Sequence, residues 1–106
     1  MRLGGWLAML ALVLVVGYAA WAAPAPVTVE IKDFKFTPGS VAVTPGTTVT
    51  WHNGDESPHT VTFPDSGVSS AGLERDDRFS YTFTKPGTYH YVCKLHPTMR
   101  ADVVVR

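Results

Sequence analysis

The chain is 106 residues long, with nine basic and nine acidic side chains and a formal net charge of zero. One domain is therefore expected, with no basic stripe for nucleic acid; the mixed run Glu74-Arg75-Asp76-Asp77-Arg78 reads as a solvated surface segment. The single cysteine, Cys93, excludes a disulfide framework within the chain.

The first 22 residues stand apart. Arg2 gives a minimal positive start, Leu7 to Val16 form an apolar core, and Ala20-Trp21-Ala22 puts small residues where a signal peptidase reads. Residues 1–22 thus read as a secretory signal, with a domain over 23–106 that is periplasmic or otherwise exported. Without Arg2, that part carries one more acidic than basic residue. A retained membrane anchor is the competing reading: Leu3 to Ala23 is uncharged and long enough to span, with Trp6, Tyr18 and Trp21 near its ends. Only Pro24-Ala25-Pro26 would then separate the anchor from the first strand. In both readings the folded part lies outside the cytoplasm, and membrane contact is expected only if the segment is retained.

From Val27 onward the pattern is short alternating runs of Val, Thr, Phe and Tyr broken by Pro-Gly turns, which predicts an all-β chain. Val27 to Lys32 makes a first strand, and Phe34 and Phe36 continue the apolar alternation up to Thr37-Pro38-Gly39. Val41 and Val43 mark a short strand ended by Thr44-Pro45-Gly46. Thr47 to Asn53 follows, with Val49 and Trp51 on one face and Thr48, Thr50 and His52 on the other. A loop over Gly54 to Pro58 leads to a strand over His59 to Phe63. Residues 64–77 have turn composition and no clear period. Phe79, Tyr81 and Phe83 alternate up to Lys85-Pro86-Gly87, Tyr89 to Cys93 forms the next strand, and Ala101 to Arg106 closes the chain. Seven or eight short strands at this density predict a small two-sheet sandwich.

Cys93-Lys94-Leu95-His96-Pro97-Thr98-Met99 carries the chemistry. It places a thiolate, an imidazole and a thioether at three-residue spacing, the donors a soft, redox-active copper ion takes. An unpaired thiol in an oxidising compartment is a liability, and ligation would protect it. Strand alternation sorts the three upstream histidines. His90 is an odd offset from Cys93 and points away; His52 follows the buried Trp51 and faces solvent. His59 opens a strand directly after a loop, with Pro58 restricting the backbone before it, and is the remaining candidate. The predicted metal ligands are His59, Cys93, His96 and Met99, which is the trigonal two-histidine, one-cysteine site with a weak axial methionine. One thiolate is too few for a structural zinc site or a cysteine-bridged dinuclear copper site. Nothing marks an oxyanion hole for a Cys–His nucleophile.

In these motifs the chain resembles the cupredoxins, and among them the amicyanin and plastocyanin group. Cys93 to Met99 resembles the short amicyanin-type ligand loop, with its proline after the histidine. Gly87-Thr88-Tyr89-His90-Tyr91-Val92-Cys93 is similar to the family's strand before the cysteine, and Trp51-His52-Asn53 with Pro58-His59-Thr60-Val61 to its first-histidine region. The resemblance implies a Greek-key two-sheet β-sandwich with one type 1 copper ion near one end. It also implies that Asn53 hydrogen-bonds toward the segment after Cys93, and that His96 reaches the surface within an apolar patch of Pro58, Pro97 and Leu95. Lys94-Leu95 departs from the small or proline-containing pairs common after the cysteine. The expected function is a mononuclear blue-copper electron carrier, monomeric and not an enzyme. Its expected donor and acceptor are redox proteins docking near His96, a dehydrogenase or a cytochrome by class. The alternative is a module for copper delivery or storage, although Met99 is the only methionine after residue 22.

Overall fold

The computed structural model describes residues 22–106, together with residues 4, 11–15 and 17. Most of the predicted signal segment lies outside the described residues. Among those described, no helix is long and apolar enough to cross a membrane.

Among the described residues, nine strands form two sheets: β1 (Val27–Lys32), β2 (Lys35–Thr37), β3 (Ser40–Val43), β4 (Thr47–Asn53), β5 (Thr62–Phe63), β6 (Val68–Ser69), β7 (Arg78–Phe83), β8 (Gly87–Val92) and β9 (Arg100–Val105). One sheet runs β2-β1-β4-β7 and the other β3-β9-β8-β5-β6. Both are mixed, since β1 lies parallel to β4 and β3 parallel to β9, while the remaining ladders are antiparallel. The sandwich expected from the alternating pattern is therefore present.

β1, β4 and β9 bury alternate residues because side chains of a pleated strand point to opposite faces. In β4, Thr47, Val49, Trp51 and Asn53 are buried and the residues between them are half-buried. The turn before β4 works because Pro45 presets φ at its first corner and Gly46, at φ 91°, takes the left-handed second corner. The two inner faces meet in an aromatic core. Tyr91 lies 4.7 Å from Phe36, 5.4 Å from Trp51 and 5.2 Å from Phe63, measured between ring centroids.

The structure departs from the sequence expectation at three places. The chain reverses at Asp33-Phe34, so Phe36 joins the core while Phe34 stays outside it, 48% exposed. The strand expected over His59 to Phe63 is regular only at Thr62–Phe63, and His59 instead makes an isolated bridge to Leu73. Residues 68–69, within the stretch that showed no period, supply a two-residue edge strand. β7 is also an edge strand, which is why Tyr81 remains on the surface while Phe83 is buried.

Candidate metal centre

The loop after β8 is built from two consecutive turns. His96 N–H donates to the Cys93 carbonyl at 3.2 Å, and Met99 N–H donates to the His96 carbonyl at 2.9 Å. Cys93 N–H then closes the loop on the Met99 carbonyl at 3.2 Å. Pro97 occupies the first corner of the second turn, where its fixed φ is favoured. This explains the three-residue spacing: Cys93, His96 and Met99 stand at the successive ends of those turns. Cys93 is fully buried and Met99 is buried, while His96 is half-buried and Leu95, Pro97 and Thr98 are exposed around it.

His59 meets this loop from the other side. Its bridge to Leu73 and the loop over residues 54–58 bring it, completely buried, to the same end of the sandwich. Nδ1 of His59 faces Cys93 Sγ at 3.7 Å, and Nε2 lies 2.8 Å from Asp55 Oδ2. A carboxylate accepts, so Nε2 carries the ring proton and Nδ1 presents its lone pair toward the sulfur. The His59 and His96 ring centroids are 5.2 Å apart. Two imidazoles sharing one ion at bond lengths of about 2 Å need ring centres roughly 5 Å apart, so the spacing fits joint ligation. Among the described residues no three His, Cys, Asp or Glu side chains converge as a ready-made cluster. Cys93, His59 and His96 meet at one end of the sheets, and Met99 is buried in the loop that carries Cys93 and His96.

Two further groups hold the site, and neither was singled out from the sequence. Thr60 N–H donates to Cys93 Sγ at 3.4 Å, and Thr60 Oγ1 accepts from Lys94 N–H at 2.7 Å. Hydrogen bonds to the sulfur are one of the levers that set a copper–thiolate potential. The other group is Asp55, which accepts from His59 and also from the backbone N–H groups of Asp33, at 2.8 Å, and Phe34, at 3.0 Å. Burial pushes its carboxyl up, but the hydrogen bonds from Phe34, His59 and Asp33 outweigh that and hold it below the ordinary aspartate value. The available signal was an acid four residues before His59 in a loop, since a ligating histidine commonly donates its other N–H to a carboxylate.

Asn53 corrects an expectation. Its side chain does not reach the segment after Cys93. Nδ2 donates to the Ser57 carbonyl at 3.1 Å and the Leu73 carbonyl at 2.7 Å, and Oδ1 accepts from Asp55 N–H at 2.9 Å. At the end of β4 it braces the loop that carries Asp55, while Thr60 makes the contact with Lys94. Gly54 in the same loop runs close to β1: a Cβ there would lie 3.3 Å from the Ile31 carbonyl oxygen, which accepts Gly54 N–H at 2.7 Å.

The other histidines lie where alternation put them. His90 is exposed and pairs with Asp102. His52 is on the outer face of β4, with Nδ1 2.7 Å from Glu30 and Nε2 3.2 Å from Asp76. Tyr91 is buried on the Cys93 face of β8, whereas Tyr89, nearer the far end, is half-buried and donates its hydroxyl to the Lys85 carbonyl.

Comparison with known proteins agrees with this architecture. Residues 5–105 match the family model described as a cupredoxin-like domain. Amicyanin of Paracoccus denitrificans is 38% identical over 92 residues, covering 82% of this chain and 70% of that protein. Plastocyanin of Scenedesmus fuscus is 35% identical over 72 residues, covering 58% of this chain and 74% of that one. Among solved structures, an amicyanin variant in its Cu(I) form superimposes with a TM-score of 0.74 at 34% identity, covering 76% of this chain and 82% of that one. A copper-containing nitrite reductase from Thermus scotoductus SA-01 matches with a TM-score of 0.73 at 31% identity, over 86% of this chain but 25% of its own.

Proposed function

The chain belongs to the cupredoxin-like family, and from that premise we propose that it is an exported, mononuclear blue-copper electron carrier. Its ion would be held by His59, Cys93, His96 and Met99, and the functional domain would be residues 23–106. The observation that carries this reading is the pairing at the buried end of the sandwich. A thiol with no exposure faces a histidine nitrogen at 3.7 Å, and that histidine's other nitrogen is already committed to Asp55. A buried thiol, two imidazoles and a buried thioether form a soft donor set that suits copper better than zinc or the hard cations.

When bound, the copper ion would supply a one-electron Cu(I)/Cu(II) couple. The chain's own residues do the rest. Cys93 would bind as thiolate, giving up its proton, and Thr60 N–H donates to its sulfur. His59 is held by Asp55 in the tautomer that leaves Nδ1 free, and Met99 would add its thioether to the donor set, where it would help to set the potential. The sheet ends and the double turn hold these donors against rearrangement, which keeps the cost of changing oxidation state small. Four protein donors leave no position for a substrate, so the chain is proposed as a carrier and not an enzyme.

Electrons would enter and leave through His96, whose half-buried ring packs on exposed Phe34 and is flanked in the loop by exposed Leu95 and Pro97. An apolar patch around a ligand edge suits brief docking with redox proteins, a dehydrogenase or a cytochrome by class, with the carrier itself monomeric. Cyclic voltammetry of the copper-loaded protein tests the reading. One reversible one-electron wave is expected. Copper that is bound at one equivalent yet redox-silent or irreversible would favour delivery or storage instead.

A further inference from the structure

Asp33 and Phe34 form the two-residue loop of the β1–β2 hairpin, with Lys32 and Lys35 paired across it. Their φ values are 50° and 57°, both left-handed. Two such residues in succession make the mirror-image hairpin turn, whose second position is normally glycine. A phenylalanine there is resisted sterically by its own Cβ. Its side chain gains little from the core, being 48% exposed. Neither local propensity nor burial explains the residue, and strain of this kind persists where the surroundings hold it for a purpose.

What holds it is Asp55. Oδ1 accepts Asp33 N–H at 2.8 Å and Oδ2 accepts Phe34 N–H at 3.0 Å, while the same Oδ2 accepts His59 Nε2–H at 2.8 Å. What it accomplishes is a cap. The Phe34 ring lies 5.1 Å from the His59 ring and 5.0 Å from the His96 ring, edge-on to each at 88°. We propose that Phe34 is a positioning residue, a cap seated on both histidine rings and clasped there by Asp55. The carboxylate that fixes the tautomer of His59 thereby also fixes the ring that limits rotation of His96. His96 needs such a restraint because it projects, half-buried, from an exposed loop. The ligand roles of both histidines rest on the function proposed above, whereas the clasp is a property of the metal-free protein and can be tested there.

Amide exchange in the metal-free wild type comes first. The Asp33 and Phe34 amides should exchange at least tenfold slower than unstructured chain, although their loop is exposed; unprotected rates would overturn the clasp. Histidine ring signals in two variants then separate the parts. Phe34→Gly, which suits the left-handed backbone, should shift the His96 ring protons toward free-histidine values and leave the His59 tautomer intact by nitrogen-15 shifts. Asp55→Ala should shift the His96 ring protons in the same way and also change the His59 tautomer. In the copper-loaded protein, Phe34→Gly should broaden or split the paramagnetic resonance lines, and Phe34→Tyr should keep a single set. If the His96 signals and the copper spectrum of Phe34→Gly match wild type, the ring is surface only and the proposal fails. A wild type that gives no blue copper spectrum would defeat the function proposed above while the exchange and tautomer results stood on their own.

Discussion

His52 and His59 lie seven residues apart and each is bonded to a carboxylate, but the two pairs sit in different media. His52, on the outer face of β4, has Nδ1 against Glu30 and Nε2 against Asp76, both partners solvated. Its two nitrogens are committed and water screens the pair. His59 is fully buried, has one nitrogen on a buried aspartate and keeps the other facing Cys93 Sγ. A histidine–carboxylate contact is thus not by itself a mark of function. Burial, together with one nitrogen left free in front of a second soft donor, is what separates the candidate ligand from the surface ion pair.

Copper affinity should break the two histidines apart most strongly. His59→Ala should weaken Cu(II) binding by more than the roughly hundredfold at which loss of an outer partner tops out, and His52→Ala should leave it within about twofold. Competition titration against a chelator reads both, and equal losses would remove the distinction.

Stability of the metal-free protein comes next. Asp55→Ala leaves the buried His59 N–H without its acceptor and frees two amides of the exposed Asp33-Phe34 turn to water, so a loss of about 2 kcal/mol is expected in urea unfolding. The contribution has a defined pH window. Because the folded-state carboxyl is held below its ordinary value, it is present above the unfolded value of about 3.9 and is lost as pH falls through the lower folded value. Asp55→Ala should therefore flatten the acid limb of the wild-type stability curve.

The aromatic core has its own reporter at alkaline pH. Burial pushes the Tyr91 hydroxyl up to about 12. The unfolded chain ionises first, so stability is whole below about pH 10 and falls as pH rises toward 12, by about 2–3 kcal/mol across that window. Phenolate absorbance should show one of the three tyrosines after residue 22 titrating late. If no such late step is seen, the core around Tyr91 is wet. The smallest effect belongs to the exposed partner: His52→Ala should change stability by no more than about 0.5–1 kcal/mol, and less at high salt.

The same division governs what could be read from the chain. Alternation in Thr47–Asn53 and Gly87–Val92, with Pro-Gly turns between strands, was enough for the sandwich because both sheets bury one face. Three-residue spacing gathered Cys93, His96 and Met99 because it is the span of a turn, and parity removed His90 and His52. Asp55 escaped because an acid in a Gly-Asp-Glu-Ser-Pro loop looks solvated until the turn amides of Asp33 and Phe34 are seen to enclose it. Phe34 escaped because its hairpin turn lacks the glycine that announces one, so alternation assigned it to the core with Phe36. Asn53 went wrong for a related reason: its partners are chosen by the shape of the 54–58 loop, which composition does not encode.

Visible absorption on adding one equivalent of Cu(II) to the metal-free protein tests the central claim most directly. An intense thiolate-to-copper band that saturates at one ion per chain and disappears in Cys93→Ser is expected. Copper binding with only weak ligand-field absorption, or a band that survives in Cys93→Ser, would contradict the assignment of a blue-copper centre to this loop and His59.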